Sequence, residues 1–403
     1  MTSLEFQRHG PYERPAANLA PNRNGWVGTL LSLFLITSII VPAAPVNKLI
    51  FIMLFARVLF DLLLRARLSK IAAPALIVPG IFMYGFFRGM AGEVRLDFSI
   101  QFLLAVFILS LIHLVERYDI DMDRIAAKAG VWFCIFSIMF WVMKINPEIP
   151  FSTTLVPLFE DYSLSAAAER DYLEEPTLVL RLGNVPFLFI PWCLTAMEFT
   201  TTWKLRHLLW LLVLGTIITI SGSRALVVLS LLFLIVALMR RTSIPARVLL
   251  GIAVGFSVFA LIGIIVQSTA LLSMDEVSNA GKIGHFLSFV DYLTPFNSIF
   301  GSGLASFYYS MGNGLITPVT EITPLDMVRY FGFPLTLLLF TVIAMPTTRL
   351  SAYGGDNRMH VFAFALFLLM STTNPVLFNS VGMLVTLWYW ARIRRALPGA
   401  RQR

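Results

Sequence analysis

Apolar runs separated by short polar breaks recur from Val27 almost to the last residues, and this spacing predicts helices that cross a bilayer. A crossing helix needs roughly 17 to 25 mostly apolar residues. Twelve candidate segments emerge, at about 26 to 42, 46 to 64, 71 to 87, 98 to 115, 126 to 143, 183 to 200, 205 to 220, 224 to 239, 246 to 267, 325 to 345, 359 to 373 and 376 to 391. The last two are short and flank Ser371-Thr372-Thr373-Asn374-Pro375, so they read either as two spans or as a re-entrant pair. The expected fold class is all-α: a polytopic integral membrane protein of about 12 helices. Residues 1–25 read as a flexible cytoplasmic tail and 26–403 as a single transmembrane domain.

Two connections are long, at about 144–183 and 267–324. Loops of that length in a compact domain are usually functional or disordered. Leu155, Leu158, Phe159 and Tyr162 in the first, and Phe286, Leu287, Phe289 and Val290 in the second, give each an apolar stripe. The stripes predict short helices lying on the membrane interface or folded over a cavity.

Composition sharpens the class. With 57% hydrophobic and 13% charged residues the chain has no room for a separate soluble domain. The net charge of +8 comes from basic residues in short loops and at the ends, which is the pattern of an orientation signal and not of a nucleic-acid surface. Placing both ends in the cytoplasm puts 21 of the 31 Lys and Arg residues inside and nine outside, with Arg57 inside a span. Both long loops then face outward, and both are net acidic. Cys134 and Cys193 lie in apolar spans, which argues against a disulfide framework or a thiolate metal site. Asp119, Asp121 and Asp123 read as a solvated charge run, and no phosphate-cradling Gly-rich loop occurs.

Candidate chemistry gathers on the outer side. Ser221-Gly222-Ser223-Arg224 forms a tight turn between two spans, with an arginine placed against the usual bias at the start of a helix. Backbone amides and a helix N-terminus there suit an anion, although an arginine snorkelling to lipid phosphate has the same sequence signature. Arg181 and Arg329 begin two further spans, so three guanidinium groups are expected to converge at one depth, a natural grip for a diphosphate. Asp326 and Arg329 share a helix face, as an ion pair or as working groups. Asp326, Glu321 or His285, the one histidine in an outer loop, is the candidate general base. Gly301-Ser302-Gly303 reads as a hinge or a sugar-contacting turn.

The turn Ser-Gly-Ser-Arg-Ala at 221–225, a large outer loop, Phe-Gly-Ser-Gly-Leu at 300–304 and Tyr-Phe-Gly at 330–332 together resemble the bacterial O-antigen polymerase and O-antigen ligase superfamily. The similarity covers about residues 180–345 by motif. It implies an inner-membrane glycosyltransferase acting at the periplasmic face on undecaprenyl-diphosphate-linked oligosaccharide donor and acceptor, with no cofactor, nucleotide sugar or metal. Two large periplasmic loops, membrane lipids and a chain-length regulator as partners belong to the same expectation. Carried over by position, Arg224 matches the family's turn arginine, and Arg329 lies near the end of the large loop, where the family's functional residues cluster; Arg181, Ser221, Ser223, Gly301, Gly303 and Tyr330 are the expected substrate-binding residues. Ligase members usually carry a histidine just before the span with the Tyr-Phe-Gly element. The stretch Thr320-Glu321-Ile322-Thr323-Pro324-Leu325-Asp326 has none, which puts polymerase ahead of ligase. The rival from another class is a lipid-linked saccharide flippase. Carriers usually place ionisable residues deep in their spans, and here charge concentrates at one face.

Overall fold

The protein is described by a computed structural model covering residues 25–65, 71–163, 165–172, 175–241, 277–352, 355–372 and 374–396. The expected tail before Gly25 and the expected span at 246–267 lie outside the described residues. In chain order the helices are α1 (Gly25–Ile40), α2 (Pro45–Arg65), α3 (Ala72–Ala75), α4 (Ile77–Gly89), α5 (Leu96–Val106), α6 (Ile112–Arg117), α7 (Met122–Ile145) and α8 (Ser152–Ser163). The hairpin of β1 (Ser165–Tyr172) and β2 (Glu175–Leu182) follows, then α9 (Phe189–Thr202), α10 (Leu205–Ile220), α11 (Arg224–Arg241), α12 (Val277–Tyr292) and α13 (Pro295–Phe300). A second hairpin, β3 (Tyr308–Ser310) with β4 (Leu315–Thr317), precedes α14 (Thr323–Ala344), α15 (Pro346–Ala352), α16 (Gly355–Thr372) and α17 (Ser380–Ala396).

This is a helical membrane protein. Among the described residues four stretches are long and apolar enough to cross a bilayer: Ala72–Gly89, Leu96–Arg117, Met122–Ile145 and Thr323–Ser351. Gly25–Ile40 and Leu205–Ile220 are apolar but shorter. Leu63, Leu64, Leu337 and Phe87 stand exposed on helix surfaces, as side chains facing lipid do. The centre is α17, where Leu384, Val385, Leu387, Trp388, Tyr389, Trp390 and Ile393 are all buried. A helix apolar around its whole circumference has nowhere to sit except inside. Tyr389 stacks on Phe364 of α16, with ring centroids 3.9 Å apart.

Two hairpins stand beside the helices, and the apolar spacing predicted neither. In the first long loop α8 is a helix as expected, but Ser165 to Leu182 pairs as an antiparallel ladder, Ser165 opposite Leu182 and Tyr172 opposite Glu175. The Ala166-Ala167-Ala168 run favours helix taken alone. Pairing with the β-branched Thr177 and Val179 strand overrides that preference.

Charges fix the helix ends. Asp121 accepts the Arg124 amide at 3.0 Å and so caps α7. Asp123 accepts from Trp388 Nε1 at 2.8 Å and from Arg392 Nη1 at 2.7 Å, tying the start of α7 to the end of α17. Asp119 and Asp121 are exposed, as a solvated run requires, and Asp123 departs from it as a tether because α17 ends where α7 begins. Asp61 of α2 is buried among Arg57, Arg117 and the Tyr118 hydroxyl. It is an ionisable residue inside an expected span that the sequence reading passed over.

Candidate functional site

The site is built around a break in α14. Gly332 has φ 76° and ψ 168°, outside helical values, and Pro334 follows two residues later. Proline has no N–H, so the Tyr330 carbonyl loses its helical donor. The turn after α13 supplies the missing donors: Ser302 N–H donates to the Arg329 carbonyl at 2.9 Å, and Gly303 N–H to the Tyr330 carbonyl at 3.1 Å. Leu304 N–H continues the seam to the Gly85 carbonyl at 2.8 Å. Fit depends on missing side chains. A Cβ at Gly303 would lie 2.3 Å from the Gly89 Cα, and one at Gly332 2.2 Å from the Ile299 carbonyl oxygen. Gly301 and Gly303, expected as a hinge or a sugar contact, are thus a plug filling the gap in α14, and Tyr330-Phe331-Gly332 is the gap.

Above the break a buried polar lobe is assembled from α12, β3, β4 and the first turns of α14. Asp326 accepts the Thr320 amide at 2.8 Å and Arg329 Nη2 at 3.0 Å. Arg329, 1% exposed, also donates to the Ser306 and Pro318 carbonyls and lies 4.3 Å from the Tyr308 ring centre. Tyr330 donates its hydroxyl proton to the same Pro318 carbonyl at 2.5 Å. Burial pushes the Tyr308 hydroxyl above its ordinary pKa, a shift that neighbouring Arg329 opposes.

His285 enters this lobe from α12. Its Nδ1 shares a 2.5 Å hydrogen bond with the fully buried Ser310 Oγ of β3. Burial holds the imidazole below its ordinary pKa, and the carboxylates of Glu321 and Asp326 act in the opposite sense. Nδ1 is thereby anchored, while Nε2 forms no hydrogen bond among the described residues. Glu321 lies exposed at the lip, on the turn before α14. Ser288, one turn along α12, accepts the Met311 amide at 2.7 Å and holds the β3–β4 turn against the helix.

His285, Glu321, Asp326, Arg329, Tyr330, Gly301 and Gly303 therefore belong to one lobe. The arginine convergence does not form around Arg329. Its fork is spent on Asp326 and two carbonyls of its own lobe, because the short strands leave the Ser306 and Pro318 carbonyls without ladder partners there. Arg224 starts α11 as an exposed residue on the separate α10–α11 turn, where Gly222 takes φ 67°. Ser221 Oγ is turned back to the Ile218 carbonyl at 2.6 Å, and Ser223 is half-buried beside it. Arg181 lies in β2 opposite Ala166, its side chain outside the described residues.

Sequence reasoning missed two groups. Ser310 carries no motif, and only its position two residues before Gly312 could have marked it. Arg88, half-buried with its guanidinium 5.2 Å from the Phe296 ring centre, sits at the seam between α4 and α13. Its place at the end of a span, against the expected charge bias, was the available signal. Among the described residues no cluster of three or more His, Cys, Asp or Glu is arranged to hold a metal. No protein-family model matches the chain, and no curated protein matches it.

Proposed function

We propose that this chain is a bacterial inner-membrane glycosyltransferase with both termini cytoplasmic and about 12 spans, its two large loops periplasmic. In this reading it polymerises undecaprenyl-diphosphate-linked saccharide units into O-antigen or exopolysaccharide, alongside a chain-length regulator. The observation that carries the proposal is His285: a histidine fixed by Ser310, kept neutral by burial, and faced by Glu321 and Asp326 on a loop-side lobe. With Nδ1 anchored, Nε2 accepts the proton of an acceptor sugar hydroxyl. That oxygen bonds to the donor's anomeric carbon as the carbon–oxygen bond to the lipid diphosphate breaks. The diphosphate leaves as an anion, and the separate turn that carries Arg224, at a helix N-terminus, has to come up to the lobe for that arginine to stabilise the developing charge. Arg329 positions the lobe and does not touch substrate.

Purified protein in detergent, given lipid-linked oligosaccharide, separates this from a flippase, because transport has no meaning without two compartments. Elongation by the native chain, lost in both His285→Ala and Arg224→Ala, is the expected result. A native chain that produces no lengthened product while remaining folded overturns the enzymatic reading.

A further inference from the structure

A second site lies far along the fold, at the end of the bundle where α7 begins, α9 ends and α10 begins. A cavity of about 270 Å³ opens there between the three helices. Its inner wall is apolar, formed by Gly130, Val131, Pro191 and Leu214. Among the described residues two full charges line it, Glu198 and Arg206.

The mouth is orderly. Arg206 Nε donates to His207 Nε2 at 2.7 Å, and since an arginine can only donate, the proton of the neutral imidazole sits on Nδ1. That nitrogen faces Thr202 Oγ1 at 3.4 Å and Glu198 Oε2 at 3.6 Å. The buried imidazole therefore fixes Arg206 through one nitrogen and leaves its terminal Nη groups for a ligand. Trp203, in the turn between α9 and α10, and Trp210, which lines the cavity, stand exposed, as indoles at a membrane interface do. A Cβ at Gly130 would lie 2.5 Å from Pro191 Cγ, so α7 and α9 touch below and the cavity is closed at its base.

We propose that this cavity binds the headgroup of an aminophospholipid. One fixed cation and one carboxylate at an interfacial mouth match a phosphate with a primary ammonium attached. Arg206 takes the phosphate oxygens, Glu198 accepts from the ammonium, and the apolar wall receives the first methylenes of the acyl chains. The site is independent of the glycosyltransfer reading.

Native mass spectrometry of the full chain in mixed micelles tests it, with phosphatidylethanolamine, phosphatidylcholine and phosphatidylglycerol added in turn. The expected result is one retained phosphatidylethanolamine per chain, preferred by about tenfold over phosphatidylcholine, whose quaternary ammonium has no N–H to donate. Glu198→Gln abolishes that preference, Arg206→Gln weakens retention of all three lipids, and Ala127→Leu, which narrows the cavity without changing charge, removes the retained lipid. An unchanged thermal transition in each variant establishes that it is folded. Equal retention of phosphatidylethanolamine and phosphatidylcholine by the native chain overturns the proposal, as does a folded Ala127→Leu variant that still holds the lipid.

Discussion

Gly303 donates its backbone N–H to the Tyr330 carbonyl, the acceptor that Pro334 leaves without a helical donor. An interior proline costs a helix about 3 kcal/mol or more, in part because that carbonyl is orphaned. In hydrocarbon or in a buried core the cost of an unmet carbonyl is higher than in water. The turn from Gly301 to Leu304 meets it from outside, so the break in α14 and the glycine turn stabilise each other. Neither makes sense alone.

Gly303→Ala tests this lock. With φ at 99° and the Gly89 backbone 2.3 Å from the new Cβ, the turn must withdraw from α14. The expected loss is about 2 kcal/mol or more. Pro334→Ala is expected to change stability by less than about 1 kcal/mol, because the Gly303 N–H already serves the Tyr330 carbonyl that the new N–H would otherwise reach. Cys134 and Cys193 are both free and buried, so a thiol-reactive fluorophore reports unfolding of detergent-solubilised protein. Equal melting shifts in the two variants would count against the lock.

Arg329 is expected to be intolerant of lysine. Its planar fork serves Asp326 and two carbonyls from one buried position, and an ammonium on a flexible stem cannot span them. Arg329→Met leaves Asp326 charged and unpaired, a loss of about 3 to 5 kcal/mol. Pairing it with Asp326→Leu recovers part of that loss, so the double variant is more stable than the sum of the singles. The same thiol assay measures all three, and strict additivity would mean the two side chains do not act as a pair.

The helical membrane fold was legible because lipid and core both demand apolar side chains over a helix-long stretch, and α4, α7 and α14 carry that signal. The hairpins were not legible, since β1 is rich in alanine and its strand state comes from pairing with β2, where Ala166, Ala167 and Ala168 meet Arg181, Leu180 and Val179. Site residues divided the same way. Asp326 and Arg329 were visible as polar groups near a span end and His285 as the one histidine in an outer loop, and the structure gathers them into one lobe. That Arg329 turns inward depends on the Ser306 and Pro318 carbonyls, whose need for a donor arises only once β3 and β4 have formed. Gly301 and Gly303 were noticed for backbone freedom, but their partner is the proline at 334, a relation with no trace in local spacing.

The acid limb of activity is expected to move when Glu321 is neutralised. Burial lowers the His285 pKa and the Glu321 carboxylate opposes that shift, so removing the charge lowers the pKa further. As a base His285 works only when neutral, and activity falls as pH drops through its pKa. Glu321→Gln therefore retains activity to lower pH than the native chain, read from a pH profile of lipid-linked oligosaccharide elongation. Stability follows the same sign: a histidine with a depressed folded pKa contributes fully above its unfolded pKa of about 6.5 and loses that contribution as pH falls below it. A profile shifted to higher pH by Glu321→Gln would exclude His285 as the base.

Two aspartates near helix ends should differ sharply in cost. Asp61 is 2% exposed and is the shared partner of Arg57 and Arg117, whose own ends are mostly covered. Asp61→Asn keeps the shape and removes the charge, leaving two guanidinium groups facing each other in a poorly hydrated place. A broken buried pair costs about 3 to 5 kcal/mol, and like charges left behind push the figure to the upper end. Asp123 is 25% exposed, and water can replace part of what Asp123→Asn takes from Arg392. That change is expected to cost about 1 kcal/mol and to shrink further in high salt, since exposed pairs are screened. Thermal transitions of the two variants, each at low and high salt, make the comparison. Equal losses, or a salt-sensitive loss at Asp61, would mean that the α2 and α6 ends are hydrated and that Asp61 is a surface ion partner.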